Sequence, residues 1–374
     1  MSKDGHKYTF FSDKHIRYNS FIETVAADKK ENTMLDDKNV LAQRDPQNAL
    51  GVAGGQWEYF TRSFDAEFHP SAEVTNIVWA GMGGSALPAV IVQSWPRVKI
   101  PFEVTREYAI PAHVGPNTLF IASSYSGNTE ETLEALTKAE AVGAQIVIIA
   151  AAGKLAAIAG EKNYPLFAIP AGIQPRMATF YFVNAFLHIV KDLDVTVEDV
   201  SELGKVGEWL KAESEGWSAD VPLEENIAKQ LATQLVGKTI IMYAGPKLFP
   251  AANKWKICFN ENAKNTSWVN SYPEFNHNEF IGWSSHPVEK PFGVVEIRST
   301  LEHERVQKRF EVSERLLSGK RPSPIVVTPR GETVLQQLAW SFALGDCVSI
   351  YLGILNGVNP TPVELVEKLK VELG

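Results

Sequence analysis

The sequence predicts an α/β protein made of two successive parallel-sheet units, each covered by helices on both faces. Three observations carry this. The nearly unbroken apolar runs 118–122 and 145–149 lack the alternation of a half-exposed strand, so both their faces must be buried. Such runs alternate with stretches of helical period throughout, the pattern of strand–helix–strand units. The order strand, loop, helix then starts again at residue 239. At 374 residues, with 45% hydrophobic and 21% charged, the chain has the size and balance of two compact globular domains.

Taken in order, residues 1–49 read as an N-terminal extension and lead-in helix, the first 33 polar and mixed in charge. The first unit is expected over 50–200, with strands near 77, 102, 120 and 147 and a fifth at 165–169. Its first strand runs into Gly81-Met82-Gly83-Gly84-Ser85 and then Pro88, a residue favoured in the first turn of a helix. The glycines let the backbone approach a ligand, with Ser85 as a further donor. A dinucleotide fingerprint is the competing reading, but the spacing differs and no acid ends the next strand, where Glu103 sits inside 100–104. The third strand follows Gly115-Pro116-Asn117 and exits into Ser124-Tyr125-Ser126-Gly127-Asn128-Thr129. Leu133, Leu136 and Ala139 then recur at helical spacing up to Gly143, a natural stop.

An acidic, helical stretch at 195–222 leads to the second unit, 220–374. There a strand at 239–244 exits into Gly245-Pro246, a helix runs to about Asn262, and strands follow at 294–297 and 325–327. Helices from Thr333 to Leu355 and from Thr361 to Leu373 close the chain.

The hydroxyls of Ser124, Ser126 and Thr129, beside the free N–H groups of a helix start, suit a phosphate. Ordinary capping by Thr129 competes with that reading. If the ligand is an anion, local donors must attract it, because the formal charge is −8. The same charge, without a basic stripe, argues against a nucleic-acid partner; the segment 304–321 is basic but carries acids at helical spacing. Cys258 and Cys347 offer neither a disulfide framework nor metal-ligand spacing, which fits a reducing cytoplasm. With no signal peptide and no run of twenty apolar residues, the chain is expected to be neither secreted nor membrane-spanning.

Candidate chemistry gathers elsewhere. Glu261 falls near the end of an otherwise apolar helix, where a carboxylate could work as a base; a solvated helix-end glutamate is the alternative. His277 stands among amides and carboxylates in the loop Pro273-Glu274-Phe275-Asn276-His277-Asn278-Glu279, and such neighbours could fix its tautomer for acid–base work. Arg176 follows Pro175 just past the fifth strand, at the sheet end that carries both loops. It could neutralise an oxyanion or a phosphate, or simply pair with an acid between domains. Thr361, Pro362 and Glu364 read as a capping box with Thr361 as N-cap. Lys368, seven residues on, would then share a helix face with Thr361, unless it is merely solvated.

Together the Gly81–Ser85 loop, the Ser124–Thr129 loop and the Pro273–Asn278 loop resemble the bifunctional phosphoglucose/phosphomannose isomerase family, built from two tandem sugar isomerase (SIS) domains. Glu261-Asn262-Ala263-Lys264, the histidine sixteen residues later and the final Pro360-Thr361-Pro362 helix with its lysine sharpen the likeness, which spans roughly 34–374. The resemblance implies an aldose–ketose isomerase converting glucose 6-phosphate, and mannose 6-phosphate as a further substrate, to fructose 6-phosphate through a cis-enediol. It assigns the phosphate to Ser124, Ser126 and Thr129, with Gly84 and Ser85 lining the sugar site. Glu261 would be the base, His277 would open the ring, Arg176 would stabilise the enediolate, Lys368 would contact the sugar and Thr361 would give room for both C2 epimers. It further implies a cytoplasmic homodimer in which His277 is contributed across the interface. Such chemistry needs no metal or cofactor, and no histidine has zinc-like spacing. Ala86 after Ser85 and the variable Phe275 depart from the family pattern, which leaves open another sugar or amino sugar phosphate as substrate, or a phosphosugar sensor without activity.

Overall fold

The computed structural model describes residues 34–284 and 291–373; the expected extension over 1–33 lies outside them. Among the described residues, nine strands form two sheets. The first contains β1 (Asn76–Ala80), β2 (Phe102–Thr105), β3 (Thr118–Ser124), β4 (Gln145–Ala150) and β5 (Leu166–Ala168), in the order β2-β1-β3-β4-β5. The second contains β6 (Thr239–Ala244), β7 (Ser267–Ser271), β8 (Phe292–Ile297) and β9 (Ile325–Val327), in the order β7-β6-β8-β9. Within both sheets every pairing is parallel, with Trp79 opposite Ile121 and Ile121 opposite Val147 in the first.

Burial explains the unbroken apolar runs. All seven positions of β3 and all six of β4 are buried, and successive residues feed opposite layers. Val78, Phe120, Ile146 and Ile148 pack toward Leu136 of the Glu130–Ala141 helix and Leu155 of the Gly153–Lys162 helix. Ile77, Trp79, Ile121 and Val147 instead join the Gly83–Ser94 and Thr179–Val190 helices in a core that continues into the second half. That core also takes in Ile240, Met242, Trp255, Val295 and much of the Val334–Leu355 helix, so the two sheets share one inner apolar layer. The outer face of the second sheet buries Tyr243, Val294 and Phe310.

Three local expectations change. Strand β7 is absent from the sequence reading because it is a largely polar edge strand, with Trp268 turned to solvent. Pro88 lies inside the Gly83–Ser94 helix rather than in its first turn. The Val334–Leu355 helix is long and apolar enough to cross a membrane, yet nearly all of it is buried within the protein, with Asp346 at its centre. Thr333 caps it in a full capping box with Gln336. The last helix spans Glu364–Leu373, so Thr361 is not its N-cap.

Candidate active site

Strands β1 and β3 are hydrogen-bonded neighbours, so their exit loops lie side by side at one sheet end. Thr129 occupies the N-cap position of the Glu130–Ala141 helix with extended backbone, but its side chain accepts no cap hydrogen bond. Its hydroxyl lies 2.7 Å from that of Ser124, which is 3.5 Å from the Ser126 hydroxyl and accepts from the Gly127 amide at 3.1 Å. The simple capping account of Thr129 therefore fails. The Gly83–Ser94 helix also starts without a side-chain cap. Two uncapped helix starts and a hydroxyl cluster make a donor-rich floor, the combination that holds an oxyanion. The buried hydroxyl of Thr132, in the first turn of the Glu130–Ala141 helix, has no protein partner either.

Ser85 ties the two loops together. Its hydroxyl accepts from the Tyr125 amide at 3.0 Å, and its carbonyl accepts from Trp79 Nε1 and Ser123 Oγ, both at 3.1 Å. Gly84 serves a close approach of another kind: a Cβ there would stand 2.8 Å from the Pro175 carbonyl carbon and 2.9 Å from the Arg176 amide. The glycine thus lets the backbone of Arg176 sit against the loop.

Arg176 is only 1% exposed, and every N–H of its guanidinium is engaged. Nε donates to Asn262 Oδ1 at 2.5 Å. One terminal nitrogen donates to Gln174 Oε1 at 3.1 Å and Glu261 Oε2 at 2.8 Å, the other to the carbonyls of Pro360 and Thr361, both at 3.0 Å. The planar five-donor fork fits this cage in a way that a lysine could not. It pairs with an acid between the two halves, from a buried position.

Glu261 ends the Phe249–Glu261 helix with its side chain 33% exposed, one oxygen on Arg176. Lys264, three residues on and at positive φ, donates to the carbonyls of Glu261 at 2.9 Å, Asn359 at 2.7 Å and Pro360 at 3.2 Å. Burial, and next the Arg176 charge, pull its pKa down to about 8. Beneath them the fully buried Lys254 donates to the Arg176 carbonyl and pairs with the fully buried Asp346 at 2.8 Å. Asp346 also accepts from Gln56 Nε2 at 2.7 Å and from Cys258 Sγ at 3.0 Å. Asn262 and Lys264 belong to a motif legible in the sequence, whereas the pairing of Lys254 with Asp346, 92 positions apart, left no sequence signal.

The other expected residues are spread more widely. The Thr361 hydroxyl is buried without a hydrogen-bond partner, while its carbonyl accepts from Arg176, so Thr361 belongs to the Arg176 cage and not to a capping box. That also removes the shared helix face with Lys368, which stands exposed on a helix with no buried residue. His277 is exposed at the end of the short 3-10 turn Glu274–His277, anchored by buried Phe275 and by Asn276, which donates to Ser313 Oγ at 2.8 Å. Neither His277 nor Lys368 hydrogen-bonds to Glu261 or Arg176 among the described residues.

Comparison with known proteins identifies the family and the fold. A family model described as the bacterial phospho-glucose isomerase C-terminal SIS domain matches residues 224–373. The bifunctional phosphoglucose/phosphomannose isomerase of Caldicellulosiruptor bescii is 36% identical over 309 residues, covering 81% of this chain and 90% of that protein. The protein of the same name from Aquifex aeolicus is 30% identical over 300 residues, covering 79% and 90%. Among solved structures, a glucose-6-phosphate isomerase like protein from Thermus thermophilus superposes with a TM-score of 0.62 at 17% identity, covering 90% of this chain and 98% of that one, which shows a common fold. By this relationship the chain belongs to the bifunctional phosphoglucose/phosphomannose isomerase family.

Proposed function

We propose that this protein interconverts glucose 6-phosphate and mannose 6-phosphate with fructose 6-phosphate through a cis-enediol. One continuous chain of contacts supports the reading most strongly. It runs from the hydroxyl loop through Ser85 and Gly84 to the backbone of Arg176, and from its guanidinium to Glu261. A phosphate held by Ser124, Ser126, Thr129 and the two open helix starts would be anchored on the framework that carries the carboxylate. Glu261 then takes the C2 proton of the open-chain aldose. The C–H electron pair becomes the C1–C2 double bond as the C1 carbonyl pair moves onto O1, which takes up the proton that the C2 hydroxyl gives up. Returning the proton to C1 while the C2 oxygen becomes a carbonyl gives the ketose. Because C2 is planar in the enediol, both C2 epimers lead to the same intermediate.

Arg176 supplies a fixed positive charge beside this chemistry. With all five donors spent on the protein, it acts through that charge and by orienting Glu261, and a hydrogen bond to the enediolate requires one of those contacts to open. Thr361, with a buried unpartnered hydroxyl in the same cage, faces the substrate in this reading. His277 and Lys368 lie in exposed segments, and the Glu364–Leu373 helix leaves Leu365 82% exposed along with Leu369 and Leu373. A second copy of the chain would cover that apolar surface and bring in the His277 that opens the ring, which makes the working unit a homodimer. The two free, buried cysteines suit a cytoplasmic enzyme.

Glu261→Gln tests the assignment. It should lower kcat by about 10²–10⁴-fold, the usual worth of a general base, and abolish exchange of the C2 proton with solvent deuterium while sugar phosphate still binds. Unchanged exchange would remove Glu261 from the role.

A further inference from the structure

The second sheet repeats the strand order of the first: β6, β7, β8 and β9 stand where β1, β2, β3 and β4 stand. The exit of β6 into Gly245-Pro246-Lys247-Leu248 and the Phe249–Glu261 helix therefore corresponds to the glycine loop. The exit of β8 into residues 298–303 and the Glu304–Leu316 helix corresponds to the hydroxyl loop. Hydroxyls recur there too, at Ser299 and Thr300. The difference lies in who satisfies the helix starts. In the first unit neither helix has a side-chain cap. In the second, His303 Nδ1 accepts from the Arg305 amide at 3.1 Å; the Phe249–Glu261 helix again has no side-chain cap of its own, but the carboxylate of Glu302 reaches across to the loop that leads into it, accepting from the Lys247 amide at 2.7 Å and from that of Leu248.

We propose that the second unit keeps the anion cradle of the first and fills it with its own Glu302 carboxylate, so that each chain offers one phosphate position. Glu302 is 6% exposed and forms no ion pair with a lysine or arginine among the described residues, so a buried carboxylate is held chiefly by backbone amides, as a bound oxyanion would be. Gly245 is the seat: a Cβ there would run into the Glu302 carboxylate, so a side chain at 245 would displace the carboxylate from its present position. The Ser299 hydroxyl is taken up within the chain, donating to Gln337 Oε1 at 2.5 Å and accepting from the Leu301 amide at 3.0 Å. Burial pushes the Glu302 carboxyl up, and the Lys247 amide, the Lys247 charge and the Leu248 amide, in that order, oppose the shift. The halves thus divide the work: the first keeps an open cradle, and the second closes its own and contributes Glu261 and His277.

Two measurements test this. In a 15N–1H titration of the full chain with inorganic phosphate, the amides of Lys247, Leu248, Ser299 and Thr300 should stay in place while those of Gly84, Ser85 and 126–129 move. Movement at Lys247 and Leu248 overturns the proposal, whereas immobile first-loop amides would count against the phosphate site of the first unit and not against this one. Glu302→Ala empties the cradle. The variant should melt lower than the parent in chloride, and formate should restore the loss saturably while leaving the parent unchanged relative to chloride. An equal response of parent and variant to formate overturns the proposal.

Discussion

Lys254→Met should be among the most damaging substitutions that touch no substrate. Lys254 and Asp346 are both fully buried, 2.8 Å apart, on two helices that come from distant parts of the second half. Methionine keeps the length of the lysine stem but leaves Asp346 charged in the core, with only Gln56 and Cys258 as donors. Removing one partner of a buried pair costs about 3–5 kcal/mol, because the surviving charge stays desolvated. Asp346→Asn on that background removes the stranded charge at constant volume and should recover about 2 kcal/mol or more. Equilibrium urea denaturation of the parent, both single variants and the double variant gives the coupling energy directly. The same series read in the isomerase assay separates stability from positioning. The double variant regains stability but not kcat, since the Arg176 carbonyl has still lost the Lys254 ammonium. A cost below about 1 kcal/mol for Lys254→Met, or a double variant no more stable than that single one, would refute the reasoning.

Two further outcomes follow from the site. Ser124→Ala removes the hydroxyl that joins Thr129 and the Gly127 amide, and should raise KM for glucose 6-phosphate by about 10- to 100-fold, the worth of one charge-assisted hydrogen bond, with kcat changed much less; an unchanged KM would detach the loop from the phosphate. Lys264 loses its proton near pH 8 in the folded chain, against 10.5 for an ordinary lysine. Across that window the unfolded chain binds more protons, so stability rises with pH. The charges that act on Lys264 are Arg176, Glu261 and Glu364. Urea denaturation between about pH 8 and 10 should show that rise in the parent and its loss in Lys264→Met, and parallel slopes would contradict it.

Much of the fold is legible in the chain because a strand buried on both faces has no choice of pattern. Runs such as 118–122 and 145–149, opened after Gly115-Pro116 and after Gly143, declare themselves. Strand β7 does not, since an edge strand with polar residues and an exposed Trp268 looks like a loop. Thr361 misled for a related reason. Thr-Pro-x-Glu is a good local start signal, but the carbonyls of Pro360 and Thr361 are recruited by Arg176, 184 and 185 positions away, and the helix begins later. Tertiary demand overrode local capping there, as it did for Thr129, whose hydroxyl turned to Ser124 instead of its own helix.

What the sequence marked by itself was the ligand class and the candidate reacting groups: a hydroxyl loop at a buried strand exit, a carboxylate at a helix end, a histidine among amides and an arginine past the fifth strand. These follow from periodicity and short-range chemistry, which act over a few residues. What only the tertiary structure decided was how those groups are used. It spent all five donors of Arg176 on the protein, placed Lys254 and Asp346 beneath it, and turned Glu302 into the occupant of the second cradle. Each of these depends on residues tens to hundreds of positions apart meeting in a low-dielectric interior. There a single unpaired charge costs several kcal/mol, and only the assembled packing fixes which partner answers it.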